Sequence, residues 1–236
     1  MRVLLTRPVD DAQDTAAALQ ALGHEPLIEP LLHIEIDAGP AIETKPYRLL
    51  VITSMNGVRA ARQRIEDRNI AILAVGETTA REARRSGFDN VSIADGSGTR
   101  GILSALARMD RSDTRPLLHV SGVDTASDLQ SAVQDLGLRL ERVQLYKAQA
   151  AQGFSGATTK AIAEQSIDVA MFFSPRTASI FCDLATQAGL DTRLASVWAC
   201  AISNNTSRSL SPITFRKVLV AEDTSAQSML DLLLRL

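Results

Sequence analysis

Six short stretches of this sequence set small polar residues where an apolar run gives way to a helical pattern. They are TSMNG from Thr53, GETTA from Gly76, DGSGT from Asp95, SPRTAS from Ser174, SNNTS from Ser203 and EDTSAQS from Glu222. A helix starts with backbone N–H groups that lack acceptors and with the positive end of its dipole, so hydroxyls beside it suit a carboxylate or phosphate. Capping alone also selects Ser, Thr, Asn and Asp at any single turn. Several such turns facing one cleft go beyond capping. Arg7, Arg59, Arg81, Arg176 and Arg208 fall at or just past the ends of apolar runs, where a guanidinium reaches an anion, although solvation accounts for any one of them. Tyr146, one of two tyrosines, sits within VQLYKAQ, where packing on a sheet is the plain reading.

Other chemistries lack their residues. There is no G-x-x-x-x-G-K-[ST], no G-x-G-x-x-G after the first apolar run and no G-x-S-x-G. His24, His33 and His119 are isolated from one another and from Cys182 and Cys200, so no protein-built metal site is expected. A formal charge of −2 and a pI near 5.9 give no basic stripe, so no nucleic-acid partner is expected. The opening MRVLLTRPVDD is far short of a signal-peptide core, and no run reaches the length of about 18 apolar residues that a membrane span needs. The expectation is a cytoplasmic protein with no membrane partner and free thiols.

The elements that must position these turns come in duplicate. Shifted by 114, RVLLTRPVDDAQDTAAALQALG lies on PLLHVSGVDTASDLQSAVQDLG, with Val9-Asp10 on Val123-Asp124 and Asp14 on Asp128. A shift of 120 puts LLVITSMNGVRAA on VAMFFSPRTASIF with Ser54 on Ser174, and a shift of 127 puts Thr79 on Thr206. The consistent order reads as an ancient duplication of a unit of about 115 residues. In the first unit RVLLT, RLLVIT, IAILAV and VSIA read as strands, and 12–22, 57–66, 78–86 and 100–108 as helices. Asp10 or Asp11, Ser54 and Glu77 mark helix starts, and Gly23 and Gly87 helix ends. Strand-helix alternation implies a parallel sheet covered on both faces, with ligands at the carboxyl ends of the strands. LLHIEID at 31–37 and RVQLYKAQA at 142–150 break the alternation and read as a pair of long strands tying two lobes together.

The motifs RVLLTRP, LGHEPLIEPLLHIE, VITSMNGVRA, LAVGETTAREARRSGF, ADGSGTRGIL, LERVQLYKAQ and VAMFFSPRTASIF resemble, in order and spacing, the uroporphyrinogen-III synthase family. The resemblance implies an α/β fold of two flavodoxin-like parallel-sheet lobes from an internal duplication, interleaved and joined by a two-stranded β ladder. Residues 1–30 with 152–236 would form lobe one, 39–140 lobe two, and 31–38 and 141–151 the ladder. It implies a monomeric lyase of tetrapyrrole biosynthesis that needs no cofactor and no metal. Its substrate would be hydroxymethylbilane, cyclised to uroporphyrinogen III with inversion of ring D and loss of water. Tyr146 falls on the family's ladder tyrosine and would assist departure of the hydroxyl as proton donor. Arg7, Ser54, Asn56, Gly76, Thr78, Thr79, Ser174, Asn205 and Thr206 would contact the substrate's carboxylates. The sequence departs from the family where Ser203-Asn204-Asn205-Thr206 replaces a Gly-Pro-Thr-Thr turn, and where Ser121 and Ala126 stand in place of arginines. Those departures leave an alternative: a catalytically divergent paralogue that binds a tetrapyrrole or other polyanion as a regulatory or binding module.

Overall fold

The computed structural model describes residues 1–96, 98–124 and 129–236. Ser97, Ala126 and Asp128, which enter the sequence reading, lie outside the described residues. In chain order the elements are β1 (Arg2–Leu5), α1 (Val9–Ala21), β2 (Glu25–Ile28), β3 (Leu32–Ile36), β4 (Leu49–Ile52), α2 (Met55–Arg64), β5 (Ile72–Ala74), α3 (Glu77–Arg85), β6 (Val91–Ile93) and α4 (Gly98–Ala107). They continue with β7 (Leu117–Gly122), α5 (Leu129–Gln134), β8 (Leu140–Ala150), α6 (Gly156–Ala163), β9 (Val169–Phe172), α7 (Pro175–Gln187), β10 (Trp198–Ala201), α8 (Asn204–Ser209), β11 (Lys217–Val220) and α9 (Ala226–Asp231). Among the described residues no helix is long and apolar enough to cross a membrane.

The chain divides into two compact units, Met1–His33 with Gln149–Leu236, and Ile34–Ala148. The first unit holds a five-stranded sheet in the order β2-β1-β9-β10-β11, with every pairing parallel. The six-stranded sheet runs β3-β8-β7-β4-β5-β6, with β8, β7, β4, β5 and β6 mutually parallel. Taking β7 and β8 as first and second strands, and β4, β5 and β6 as third to fifth, both sheets follow the flavodoxin-like order 2-1-3-4-5. Strands equated by the sequence shifts, β1 with β7, β4 with β9 and β6 with β11, hold matching places. The outer strand β3 runs against β8: Asp37 N–H donates to Leu145 O at 2.8 Å, and Ala151 N–H to Leu31 O at 3.0 Å.

Strands buried on both faces carry nearly continuous apolar runs, because each alternate residue meets a different helix layer. In β4, Leu50 and Ile52 join the cluster with Val58, Ile65 and Phe88, while Leu49 and Val51 join that with Ile102, Leu106 and Val133. In β1, Leu4 packs with Phe172 and Phe181, and Val3 and Leu5 with Leu19 and Met229. Serine caps start α2, α6, α7, α8 and α9, each accepting an N–H from the residue three positions on. Asp10 and Asp11 are first-turn acids rather than caps, because α1 begins early, after Pro8, whose preset φ suits the helix entry. Gly23 and Gly87, at φ 77° and 87°, close α1 and α3 in the left-handed conformation that only glycine adopts freely.

One buried carboxylate fastens the returning chain in the first unit. Glu29, 4% exposed, accepts from the Ser155 backbone N–H at 3.1 Å and from its hydroxyl at 2.5 Å. Ser155 in turn caps α6, so residues far apart in sequence share one hydrogen-bond set.

Candidate active site

Because five strands of each sheet are parallel, the turns after them emerge along one edge, and the candidate residues follow their strands there. In the Ile34–Ala148 unit this edge carries Ser54 and Asn56 after β4, and Gly76, Thr78 and Thr79 after β5. Tyr146 comes to the same edge from β8. An irregularity in the β7–β8 pairing sets Ser121 opposite Gln144 but Gly122 opposite Tyr146, so Leu145 is the extra residue. Leu145 turns into the core and the half-buried Tyr146 stands over the end of β7. Its phenol oxygen lies 2.8 Å from the Ser54 hydroxyl, and either group can donate. Ser54 also accepts the Gly57 N–H at 3.0 Å. The strand tyrosine and the helix-cap serine, read separately in the sequence, thus form one pair.

The start of α3 is built differently from the serine-capped helices. Gly76 occupies the cap position, and no side chain accepts from the first N–H groups. The Thr79 side chain is buried, yet among the described residues its hydroxyl has no hydrogen-bond partner. A Cβ at Gly76 would meet no atom within 4 Å, so the approach to this turn is open. Thr78 is exposed beside it. Uncapped N–H groups, an unengaged hydroxyl and an open approach are the parts of an anion site. Asn56 is engaged: its Oδ1 accepts from Arg59 Nη1 at 3.0 Å, and Arg59 Nε reaches Glu82 at 3.3 Å, joining α2 to α3.

In the other unit Arg7, Ser174, Asn205 and Thr206 lie along the corresponding edge, but their side chains are largely engaged locally. Arg7 reaches Thr15 at 3.3 Å and Asp11 at 3.9 Å and stacks 4.3 Å over the Phe173 ring. Ser174 caps α7 and lies 2.9 Å from the Thr177 hydroxyl. Thr206 is fully buried with its hydroxyl 3.1 Å from Ser203 Oγ, and Asn205 accepts from Arg208 at 3.1 Å. Ser121, a point of departure from the family pattern, accepts from Arg142 Nε at 2.7 Å, so a cation stands on that strand pair even without an arginine at Ser121.

The remaining reactive groups are poor nucleophiles or bases. Burial pushes the Cys182 thiol up to about 11 and the Cys200 thiol up to about 12. Burial, with the Arg142 charge adding to it, lowers His119 to about 4, and among the described residues its Nε2 has no hydrogen-bond partner. Among the described residues no group of His, Cys, Asp and Glu is arranged to hold a metal ion. Gly122 escaped the sequence reading, although an isolated glycine at the end of an apolar strand is a signal of close backbone approach. A Cβ there would lie 2.7 Å from Tyr146 Cε2.

Comparison with known proteins agrees with the motif resemblance. The family model described as uroporphyrinogen-III synthase HemD matches residues 13–231. A curated relative, the porphyrin biosynthesis protein HemD of Ruminiclostridium josui, is 24% identical over 100% of this chain and 48% of its own length. The chain therefore spans about half the length of that relative. The crystal structure of uroporphyrinogen-III synthetase from Helicobacter pylori is similar with a TM-score of 0.67 at 17% identity, covering 100% of this chain and 99% of that one. A mutant uroporphyrinogen III synthase from Thermus thermophilus is similar with a TM-score of 0.51 at 18% identity, covering 100% of this chain and 98% of that one. At those identities the solved structures establish the fold, and the family model establishes the family: the chain belongs to the uroporphyrinogen-III synthases.

Proposed function

We propose that the protein cyclises hydroxymethylbilane to uroporphyrinogen III, with inversion of ring D and loss of water, in tetrapyrrole biosynthesis. The observation that carries this reading is the family match over residues 13–231. The edge geometry supports it. The Tyr146 phenol, held by Ser54, donates a proton to the departing hydroxyl, which leaves as water. Ring closure then releases a proton that restores the phenol. The uncapped start of α3, with Gly76, Thr78 and Thr79, takes a carboxylate arm of the substrate, with Ser54 and Asn56 beside it. Arg7, Ser174, Asn205 and Thr206 line the other unit's edge, where backbone N–H groups and Arg7 supply the anion contacts. Most of the rate comes from holding a reactive azafulvene intermediate in the geometry for ring inversion.

The reading extends to a cytoplasmic monomer acting without cofactor, metal or nucleic-acid partner, assembled by duplication and exchange of halves. The test is incubation of the purified protein with freshly made hydroxymethylbilane and separation of the isomers. Type III product is expected. Type I alone, where a known synthase gives type III, would transfer the case to the binding paralogue.

A further inference from the structure

We infer that Gly122 is a positioning residue for the Tyr146 phenol: β7 ends in glycine because the tyrosine ring must lie against its backbone. The inference rests on the reading of Tyr146 as proton donor. Gly122 is not among the glycines with positive φ, so its backbone conformation does not call for glycine. The Tyr146 ring does. A Cβ at Gly122 would stand 2.7 Å from Cε2, 3.0 Å from Cζ and 3.3 Å from Cδ2. Ordinary contact begins at 3.4 Å, so the ring would have to withdraw by 3.4 − 2.7, about 0.7 Å. It cannot do so by a shift of backbone alone. Val123 N–H donates to Tyr146 O at 2.9 Å, and Arg142 Nη2 donates to Gly122 O at 2.7 Å, which ties both strands at this point. Leu145, the extra residue of the irregular pairing, is buried and anchors the other side. The displacement therefore falls on the ring, and with it on the 2.8 Å contact to Ser54. Displacements of this size at a reacting group cost large factors in rate.

The experiment is a double-mutant cycle with Gly122→Ala and Tyr146→Phe, reading type III formation from hydroxymethylbilane in the full chain. With Tyr146 present, Gly122→Ala should lower kcat about tenfold or more while KM changes less. In the Tyr146→Phe background the same substitution should cost less than about twofold, because no phenol is left to misplace. Equal losses in both backgrounds would overturn the inference while leaving Tyr146 as donor. Full activity of Tyr146→Phe alone would overturn both readings. If Gly122→Ala does not fold, Gly122→Ala with Tyr146→Ala decides: recovery of a cooperative melt supports the ring as the obstacle, and failure to recover overturns it.

Discussion

Gly57 and Thr177 hold the same place in α2 and α7, third after a serine cap, and they leave those serines differently engaged. The Thr177 hydroxyl lies 2.9 Å from Ser174 Oγ, so that serine is occupied within its own turn. Gly57 has no hydroxyl, and Ser54 Oγ turns to Tyr146 at 2.8 Å. A Cβ at Gly57 would meet Ile52 Cγ2 at 3.0 Å and the Val120 carbonyl at 3.3 Å, so packing also opposes a threonine there. The shift of 120 aligns the two serines, and of the pair Ser54 is the one left open to a phenol.

Replacing Tyr146 by Phe should therefore separate chemistry from stability. Tyr146 is half-buried and its phenol makes one side-chain hydrogen bond among the described residues, so its loss costs roughly 1 kcal/mol or less of folding stability. Turnover should fall by about 10²-fold or more, as for the loss of a general acid. Isomer analysis beside a thermal melt checks both numbers, and undiminished turnover would assign Tyr146 to packing.

Thr79 and Thr206, aligned by the shift of 127, should respond differently to valine. Thr79→Val removes a hydroxyl with no partner among the described residues, so stability should change by less than about 0.5 kcal/mol. Substrate binding should weaken by roughly fivefold, with a larger type I fraction released to spontaneous closure. Thr206→Val strips a buried partner from Ser203 and should cost about 1 kcal/mol in denaturant unfolding. A stability loss at Thr79 as large as that at Thr206 would contradict the distinction.

The Glu29 clasp should be sensitive to charge at constant shape. Glu29→Gln turns one acceptor oxygen into a donor facing the Ser155 N–H and hydroxyl, and should destabilise by about 2 kcal/mol. Urea midpoints at neutral pH measure this. A variant as stable as the parent would mean that the buried carboxylate is replaceable.

His119 gives stability an acid limit. Its value in the folded protein, about 4, lies below the ordinary 6.5, so the unfolded chain binds the proton first as pH falls. The His119 contribution is therefore fully present above about pH 6.5 and is lost as pH drops toward 4, with an upper bound near 3 kcal/mol. In His119→Leu this part of the pH slope should vanish, since Nε2 gives up no hydrogen bond. An unchanged slope over pH 4 to 6.5 would place the titration elsewhere.

Local rules made much of the architecture legible. The β-branched runs became strands, the serines before helical patterns became caps, and Gly23 and Gly87 ended their helices. What distance in sequence separates was harder to read. Ser54 and Tyr146 each look ordinary, and their meeting depends on β7 lying between β8 and β4 and on one extra residue in β8. The engagement of Arg7 with Asp11, Thr15 and Phe173 was hidden for the same reason: its position at a strand end says where the guanidinium starts, not which neighbours hold it. Gly122 carried a signal in its type, but the atom that needs the space belongs to another strand.

The strand order also sets a schedule for a chain made from its amino end. All the strands from β4 to β8 have been synthesised once residue 150 is complete, so that sheet can close early. β1 must wait. α1 covers part of the Val3 and Leu5 face early, but the second edge of β1 is paired and its cover completed only when β9 and the elements after it arrive. Throughout that interval Val3, Leu4 and Leu5 form an unfinished sheet segment, which leaves β1 open to pairing with other chains.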